Sequence, residues 1–295
     1  MVKRLWATVK GSFASSVLAA NAVTIFSGMI PFALVKLALP FAAVRRVLDR
    51  VLMALAQTWV GVNGAWMALV QRMRWDVQGL DGLRRRGWYL VSSNHQSWVD
   101  ILVLQKVFHR RVPFLKFFLK RQLLFVPVMG LAWWALDFPF MRRRSGSRAK
   151  DLATARKACE KFRQVPTSVM NFLEGTRFCP AKQAAQQSPY RHLLKPKVGG
   201  LATALGAMGE RFDALLDVTI VYPEGVPSFW DLLSGQVGRV VVRVHERVIP
   251  AHLLGGDYEG DPVFRARMQG WVQAMWAEKD ARIEAILQQG DPAQA

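Results

Sequence analysis

About 25 consecutive residues between Lys10 and Lys36 carry no charge, and this run restricts the fold more than any other part of the chain. As a helix it would be roughly 37 Å long, more than the ~30 Å hydrocarbon core of a bilayer. Ser15, Ser16, Asn21, Thr24 and Ser27 dilute it, and Pro31 predicts a kink or an end. It therefore reads as a membrane span or as a tilted or re-entrant segment. A secretory signal is the third reading, since Lys3 and Arg4 precede the run and Ala20-Asn21-Ala22 mimics a cleavage site. The run continues past that site, which argues against cleavage. Basic residues stand on both sides, Lys3, Arg4 and Lys10 before and Lys36, Arg45, Arg46 and Arg50 after, so both ends look cytoplasmic. A second apolar run, Val51 to Val70, either completes a helical hairpin or forms a core helix; Gln57, Gly61, Asn63 and Gly64 weaken it as a span. Residues 1–70 are read as a membrane-associated helical segment, and 71–295 as a second domain.

Charge and apolarity narrow the partners. The 295-residue chain has a formal charge of +19 and a pI near 10.8, which favours nucleic acid, anionic headgroups or phosphorylated substrates. It is also 52% hydrophobic with 11 tryptophans. A soluble nucleic-acid binder has little use for so much apolar surface, and a basic, Trp-rich chain fits an anionic membrane surface. Cys159 and Cys179 have no metal-ligand spacing and read as free thiols in a reducing compartment.

From Arg72 onward short apolar runs alternate with charged helical stretches, predicting an α/β domain with a mixed, mostly parallel sheet flanked by helices. Strands are expected at Trp88–Ser92, Phe138–Met141, Ser168–Phe172, Asp217–Tyr222 and Val240–His245, with a strand end and turn at 76–82. An amphipathic helix is expected at Asp151–Arg163. Another begins at Asp261-Pro262, with Phe264, Met268, Trp271 and Met275 on its core face.

Within this frame, Asn94-His95-Gln96-Ser97-Trp98-Val99-Asp100 marks a change from strand to helix. Ser97 reads as an N-cap with Asp100 in the first turn, a capping-box variant. Residues five apart on a straight helix are rotated by roughly 140°, so His95 and Asp100 meet only if the chain bends between them. The spacing alone proves little, because His252 and Asp257 repeat it in a Gly-Gly loop. Three further blocks follow in order. Lys116 to Gly130 and Phe140 to Arg144 interleave cations with aromatic and apolar residues, as suits phosphate-bearing amphiphiles at an interface or a snorkelling surface helix. Val169 to Phe178 runs a strand into Glu174-Gly175-Thr176-Arg177, where Arg177 suits bidentate phosphate binding and Gly175 permits close backbone approach. Glu174 and Arg177 alternatively form a turn-stabilising ion pair. Val218 to Pro223 reads as a buried strand ending at a proline turn.

Together these blocks resemble the glycerolipid acyltransferases related to bacterial 1-acylglycerol-3-phosphate acyltransferase. Asn94-His95 to Asp100 matches the family's N-H-x4-D motif; Lys120, Leu123, Pro127, Gly130 and Arg142 follow the second motif; Phe172 to Arg177 matches the third with Leu173 in place of proline; Val218 to Pro223 fits the fourth. Gln122 stands where a glutamate is common. The resemblance covers roughly residues 75 to 225 and looks closest to a bacterial inner-membrane branch. It implies acyl transfer from acyl-CoA or acyl carrier protein to lysophosphatidic acid or another lysophospholipid, with His95 as general base, Asp100 orienting it, and Glu174, Gly175, Thr176, Arg177, Lys116, Lys120 and Arg142 binding the substrate. It implies no metal and no cofactor beyond the thioester. Acyl thioesters are cytoplasmic, so the catalytic domain is expected to face the cytoplasm, held by a hairpin or re-entrant anchor or by one span with its N-terminus outside. A membrane-associated nucleic-acid-binding protein accounts for the charge but not for the ordered motifs.

Overall fold

The computed structural model describes residues 2–39, 41–117, 119–126, 129–138, 140–141, 162 and 165–289. Its helices are α1 (Val2–Ala38), α2 (Ala42–Leu69), α3 (Val99–Phe108), α4 (Met129–Ala135), α5 (Pro180–Gln186), α6 (Gly199–Met208), α7 (Phe229–Ser234) and α8 (Pro262–Gln288). The strands are β1 (Arg74–Gln78), β2 (Tyr89–Ser93), β3 (Leu115–Phe117), β4 (Leu119–Lys120), β5 (Phe140–Met141), β6 (Ser168–Phe172), β7 (Ala214–Val221) and β8 (Arg239–Arg247). The main sheet has the order β1-β8-β7-β2-β6-β3, with β7 and β8 its one antiparallel pair; β4 and β5 form a separate two-stranded sheet.

The central strands are apolar along their whole length because both sheet faces are covered. All five residues of β2 and all eight of β7 are buried. On one face Val91, Met170, Leu216 and Val218 meet Val103 and Val107 of α3 and Leu232 and Leu233 of α7. On the other, Leu90, Val169 and Leu215 meet Leu201 and Leu205 of α6 and Met268 and Trp276 of α8. The expected stripe on α8 is core: Phe264, Met268 and Met275 are buried, and Asp261 caps the helix by accepting from Val263 N–H at 2.8 Å and Phe264 N–H at 3.1 Å. The three-residue β3 is too short to show a sequence period and was not expected. The expected strand at Phe138–Met141 is reduced to Phe140–Met141, outside the main sheet. The expected helix at Asp151–Arg163 lies outside the described residues apart from Phe162, as does Cys159; Cys179 is a free thiol.

α1 and α2 form an antiparallel hairpin. Asn21 Nδ2 donates to Asn63 Oδ1 at 2.7 Å and to Trp59 O at 3.2 Å, and Phe26 packs against Trp59 with ring centroids 5.2 Å apart. α1 runs through Pro31, where both the ring and Ser27, whose carbonyl loses its helical partner, are exposed to solvent. Lys36 is not a free flanking charge. Its buried ammonium donates to Ala135 O at 2.7 Å and lies 2.7 Å from Asp49 Oδ1 and 2.9 Å from Asp137 Oδ2. One cation thereby joins α1, α2 and the end of α4. At its other end α1 buries Ala14 in the core beside α3 and α7. The hairpin thus lies along the sheet domain at both ends of α1 and leaves Leu5, Trp6, Val9, Phe13, Val23 and Leu34 exposed.

Replacing Lys36 with Met strands two half-exposed carboxylates and a carbonyl. It should cost about 2 kcal/mol and lower the thermal midpoint by about 5 °C, read by differential scanning fluorimetry in detergent. An unchanged midpoint would show that the three-element clip contributes nothing.

Candidate active site

The parallel register creates the site. Ser93 of β2 is paired with Phe172 of β6 and with Val218 of β7, so the residues just beyond these strand ends are brought side by side. Open α/β sheets gather ligands at such carboxyl ends. Asn94 continues the β2 to β7 ladder with its side chain: Oδ1 accepts from Ile220 N–H and Nδ2 donates to Ile220 O, both at 2.8 Å. This fixes the chain where the strand stops. Opposite, Glu174 stands two residues beyond Phe172, as His95 stands two beyond Ser93, and its Oε1 accepts from His95 N–H at 2.7 Å. Phe178 N–H donates to His95 O at 2.7 Å. Both polar groups of the His95 peptide are thereby occupied.

The chain then bends as expected. The N-cap falls at Trp98, one residue later than expected and without a side-chain cap, while Ser97 Oγ accepts from Val99 N–H at 3.1 Å in the turn before it. Asp100 Oδ2 reaches back to accept from Ser97 N–H at 2.8 Å and Gln96 N–H at 2.6 Å. The same oxygen lies 2.8 Å from His95 Nδ1. Tyr222 O–H donates to Asp100 Oδ1 at 2.7 Å. Asp100 is wholly buried, so these bonds replace its water. The Nδ1–H tautomer is the one that satisfies this contact, and in it the lone pair lies on Nε2. The His95 ring is stacked on Phe172, centroids 3.9 Å apart and 13° from parallel, and Phe172 stacks in turn on Phe117 at 6.2 Å. The control pair behaves differently: Asp257 Oδ1 accepts from Glu259 and Gly260 N–H of its own turn, and His252 is exposed.

The Glu174–Arg177 turn folds over the same peptide. Gly175 has φ +67°, and a Cβ there would come within 3.0 Å of Lys197 Cδ. Thr176 Oγ1 and Arg177 O both accept from Lys182 Nζ, at 2.9 and 2.8 Å. Arg177 is exposed, its guanidinium 4.9 Å above the ring of Trp98. Glu174 faces inward and is fully buried, with Oε2 accepting from Leu194 N–H at 3.0 Å. Burial pushes its carboxyl up to about 7, against the pull of the two amides and of Lys279.

His95, Asp100, Glu174, Gly175, Thr176 and Arg177 are therefore gathered at one sheet edge. Lys116 lies on β3, the far neighbour of β6, largely buried with Nζ 4.4 Å over the Phe162 ring. The Lys120 side chain and Arg142 lie outside the described residues. Asn94 and Tyr222 gained no role from sequence reasoning. Their partners lie 126 and 122 residues away in sequence, so no local pattern signals either contact. Among the described residues no group of three or more His, Cys, Asp or Glu is placed to hold a metal ion.

The fold and its edge define an α/β protein with a histidine paired to a buried aspartate where a central parallel strand turns into a helix. The structure of the 1-acyl-sn-glycerophosphate (LPA) acyltransferase PlsC from Thermotoga maritima has the same fold, with a TM-score of 0.54 at 19% identity over 97% of this chain and 96% of that one. Residues 74–226 match the family model described as Acyltransferase, and the chain belongs to that family. Relatives include lysocardiolipin acyltransferase 1 of Danio rerio, 26% identical over 78% of this chain and 60% of its own length. Another is 1-acyl-sn-glycerol-3-phosphate acyltransferase 3 of Arabidopsis thaliana, 28% identical over 66% of this chain and 52% of its own length. The chain thus spans between half and two thirds of these relatives.

Asn94→Ala leaves the N–H and C=O of Ile220 without partners in the core. It should destabilise the protein by about 2–4 kcal/mol, measured by urea unfolding. A loss below about 0.5 kcal/mol would mean that the ladder does not depend on this side chain.

Proposed function

We propose that this chain transfers a fatty acyl group from an acyl thioester, acyl-CoA or acyl carrier protein, to a hydroxyl of lysophosphatidic acid. The observation that carries the reading is the 2.8 Å contact between His95 Nδ1 and a buried Asp100 whose other bonds come from the turn and Tyr222. With Nδ1–H held by the carboxylate, Nε2 is the base that takes the acceptor hydroxyl's proton as its oxygen attacks the thioester carbonyl. The imidazolium that forms is stabilised by Asp100, in the manner of a serine-protease triad with the substrate hydroxyl in the serine's place. As the tetrahedral adduct collapses, the carbon–sulfur bond breaks and His95 returns the proton to the departing thiolate. No covalent acyl-enzyme is needed.

Arg177 is the proposed phosphate ligand, since its exposed guanidinium is held over Trp98 above the His95 turn. The resemblance adds Lys116, Lys120 and Arg142 as helpers and Gly175 and Thr176 as the turn that shapes the grip. We read Glu174, whose carboxylate accepts from the His95 and Leu194 amides, as a support of the His95 peptide. The names of the relatives support glycerol-phosphate and lysophospholipid acceptors, and acylation of a lysophospholipid other than lysophosphatidic acid is the second reading.

The membrane setting is part of the proposal. α1 is long and apolar enough to cross a bilayer, but it is tied to the sheet domain near Ala14 and again at Lys36. We read the hairpin as seated in one leaflet with its exposed apolar face, joined by Val226 just before α7 and Trp230 within it, rather than as a span. In a bacterial inner membrane the catalytic face would then lie on the cytoplasmic side, where the thioesters are.

The test is acyl transfer by the purified protein in vesicles, with acyl-CoA or acyl carrier protein against a panel of lysophospholipids. Wild type should give the diacyl product; His95→Ala and Asp100→Ala should lose about 10²–10⁴ of kcat and Tyr222→Phe roughly tenfold. Arg177→Ala should raise KM for lysophosphatidic acid more than it lowers kcat. Equal product from wild type and His95→Ala would end the mechanism.

A further inference from the structure

Two side chains meet the His95 ring, and they meet different parts of it. Asp100 Oδ2 lies 2.8 Å from Nδ1, at the edge, where a ring N–H points. Phe172 covers a face, with centroids 3.9 Å apart and planes 13° from parallel. The sheet sets this stack. Phe172 is the last residue of β6 and is in register with Ser93, two residues before His95. Phe117 of β3, whose register partner on β6 is Met170, backs Phe172 with centroids 6.2 Å apart and planes 29° from parallel. The His95 side chain is left only 13% exposed, so little of its ring meets water.

A leucine at the end of β6 would fill this place with an equally apolar group. What an aromatic ring adds is its charge distribution: the π face is negative and attracts a cation, most strongly where water is excluded. A neutral imidazole gains little from that face, whereas an imidazolium gains a partner over a surface that its in-plane hydrogen bonds do not reach. Under the proposed function the imidazolium exists only once the acceptor hydroxyl has given its proton to Nε2. An interaction that strengthens at that moment speeds the chemical step and leaves substrate binding unchanged.

We propose that Phe172 is a positioning residue that acts through His95: its ring face stabilises the imidazolium that forms as the acceptor hydroxyl is deprotonated. The proposal rests on the reading of His95 as the general base. It divides the work between two directions, with Asp100 holding the charge at the Nδ1 edge and Phe172 holding it over the face. Phe117 behind Phe172 keeps that face parallel to the imidazole.

The test replaces Phe172 in the full-length protein, by amber suppression, with mono-, di- and trifluorinated phenylalanine, which weaken the negative face step by step and nearly keep the ring's shape. Acyl transfer from acyl-CoA to lysophosphatidic acid is followed in vesicles. The single-turnover rate should fall with each fluorine, reaching about three- to tenfold below wild type for the trifluorinated ring, while KM for both substrates stays within about twofold. Para-methylphenylalanine, bulkier but no poorer in π density, should keep the wild-type rate. A space-filling role would follow size and not fluorine number. A flat fluorine series beside an inactive His95→Ala would overturn the proposal and leave the general base standing, and so would an equal loss with para-methylphenylalanine. A wild type without acyl transfer, or a His95→Ala protein as active as wild type, would overturn the proposed function and this proposal with it.

Discussion

A carboxylate with no exposure to water has to be surrounded by donors, and Asp100 is the point from which the rest of the site follows. Its four donors are two amides of its own turn, the Tyr222 hydroxyl at the end of β7, and His95 Nδ1. The amides require the chain to bend before α3, because a helix continued backward would turn Gln96 and Ser97 N–H toward carbonyls of a preceding turn. Tyr222 requires β7 to end beside β2. His95 is then the one donor of the four whose ring has a second nitrogen able to accept a proton. The geometry that makes Asp100 tolerable in the core is the same geometry on which the proposed role of His95 as a base rests.

The sheet supplies the precision. Parallel strands with fixed register end level with one another, so loops leaving β2, β6 and β7 start from neighbouring points. The side chains that bridge them, Asn94 to Ile220 and Glu174 to His95, bond to backbone groups instead of to other side chains. Backbone groups beyond a strand end would otherwise be buried without partners, which is costly. Stability and positioning coincide here.

Much of this was legible in the sequence, for a local reason. The strand-to-helix change and the first-turn Asp100 depend on residues within a few positions of each other, and each has a known chemical signature; the N-cap itself falls at Trp98, one residue after Ser97. β2, β6, β7, β8 and α8 were readable because buried central strands and a Pro-started amphipathic helix leave continuous patterns. What the sequence hid was non-local. Tyr222 read only as the end of a buried strand and Asn94 only as part of the strand-to-helix stretch, while their partners lie 122 and 126 residues away. Glu174 was read with Arg177 because the two are neighbours in sequence, whereas the fold turns one inward and leaves the other outside.

Lys36 shows the same limitation on a larger scale. Counted as a charge flanking an apolar run, it speaks for a cytoplasmic helix end. In the fold it is a buried clip between the hairpin and α4. The other end of α1 meets α7, where Gly11 lies so close to the Trp230 ring that a Cβ would fall 2.7 Å from it. α7 begins just after Pro227, whose carbonyl accepts from Ser97 Oγ. From the hairpin to the residue that caps the His95 turn there are thus two contacts. A helix pair that only tethered a soluble enzyme would need neither. The hairpin that seats the protein in a leaflet under the proposed function also fixes how far from that leaflet His95 stands.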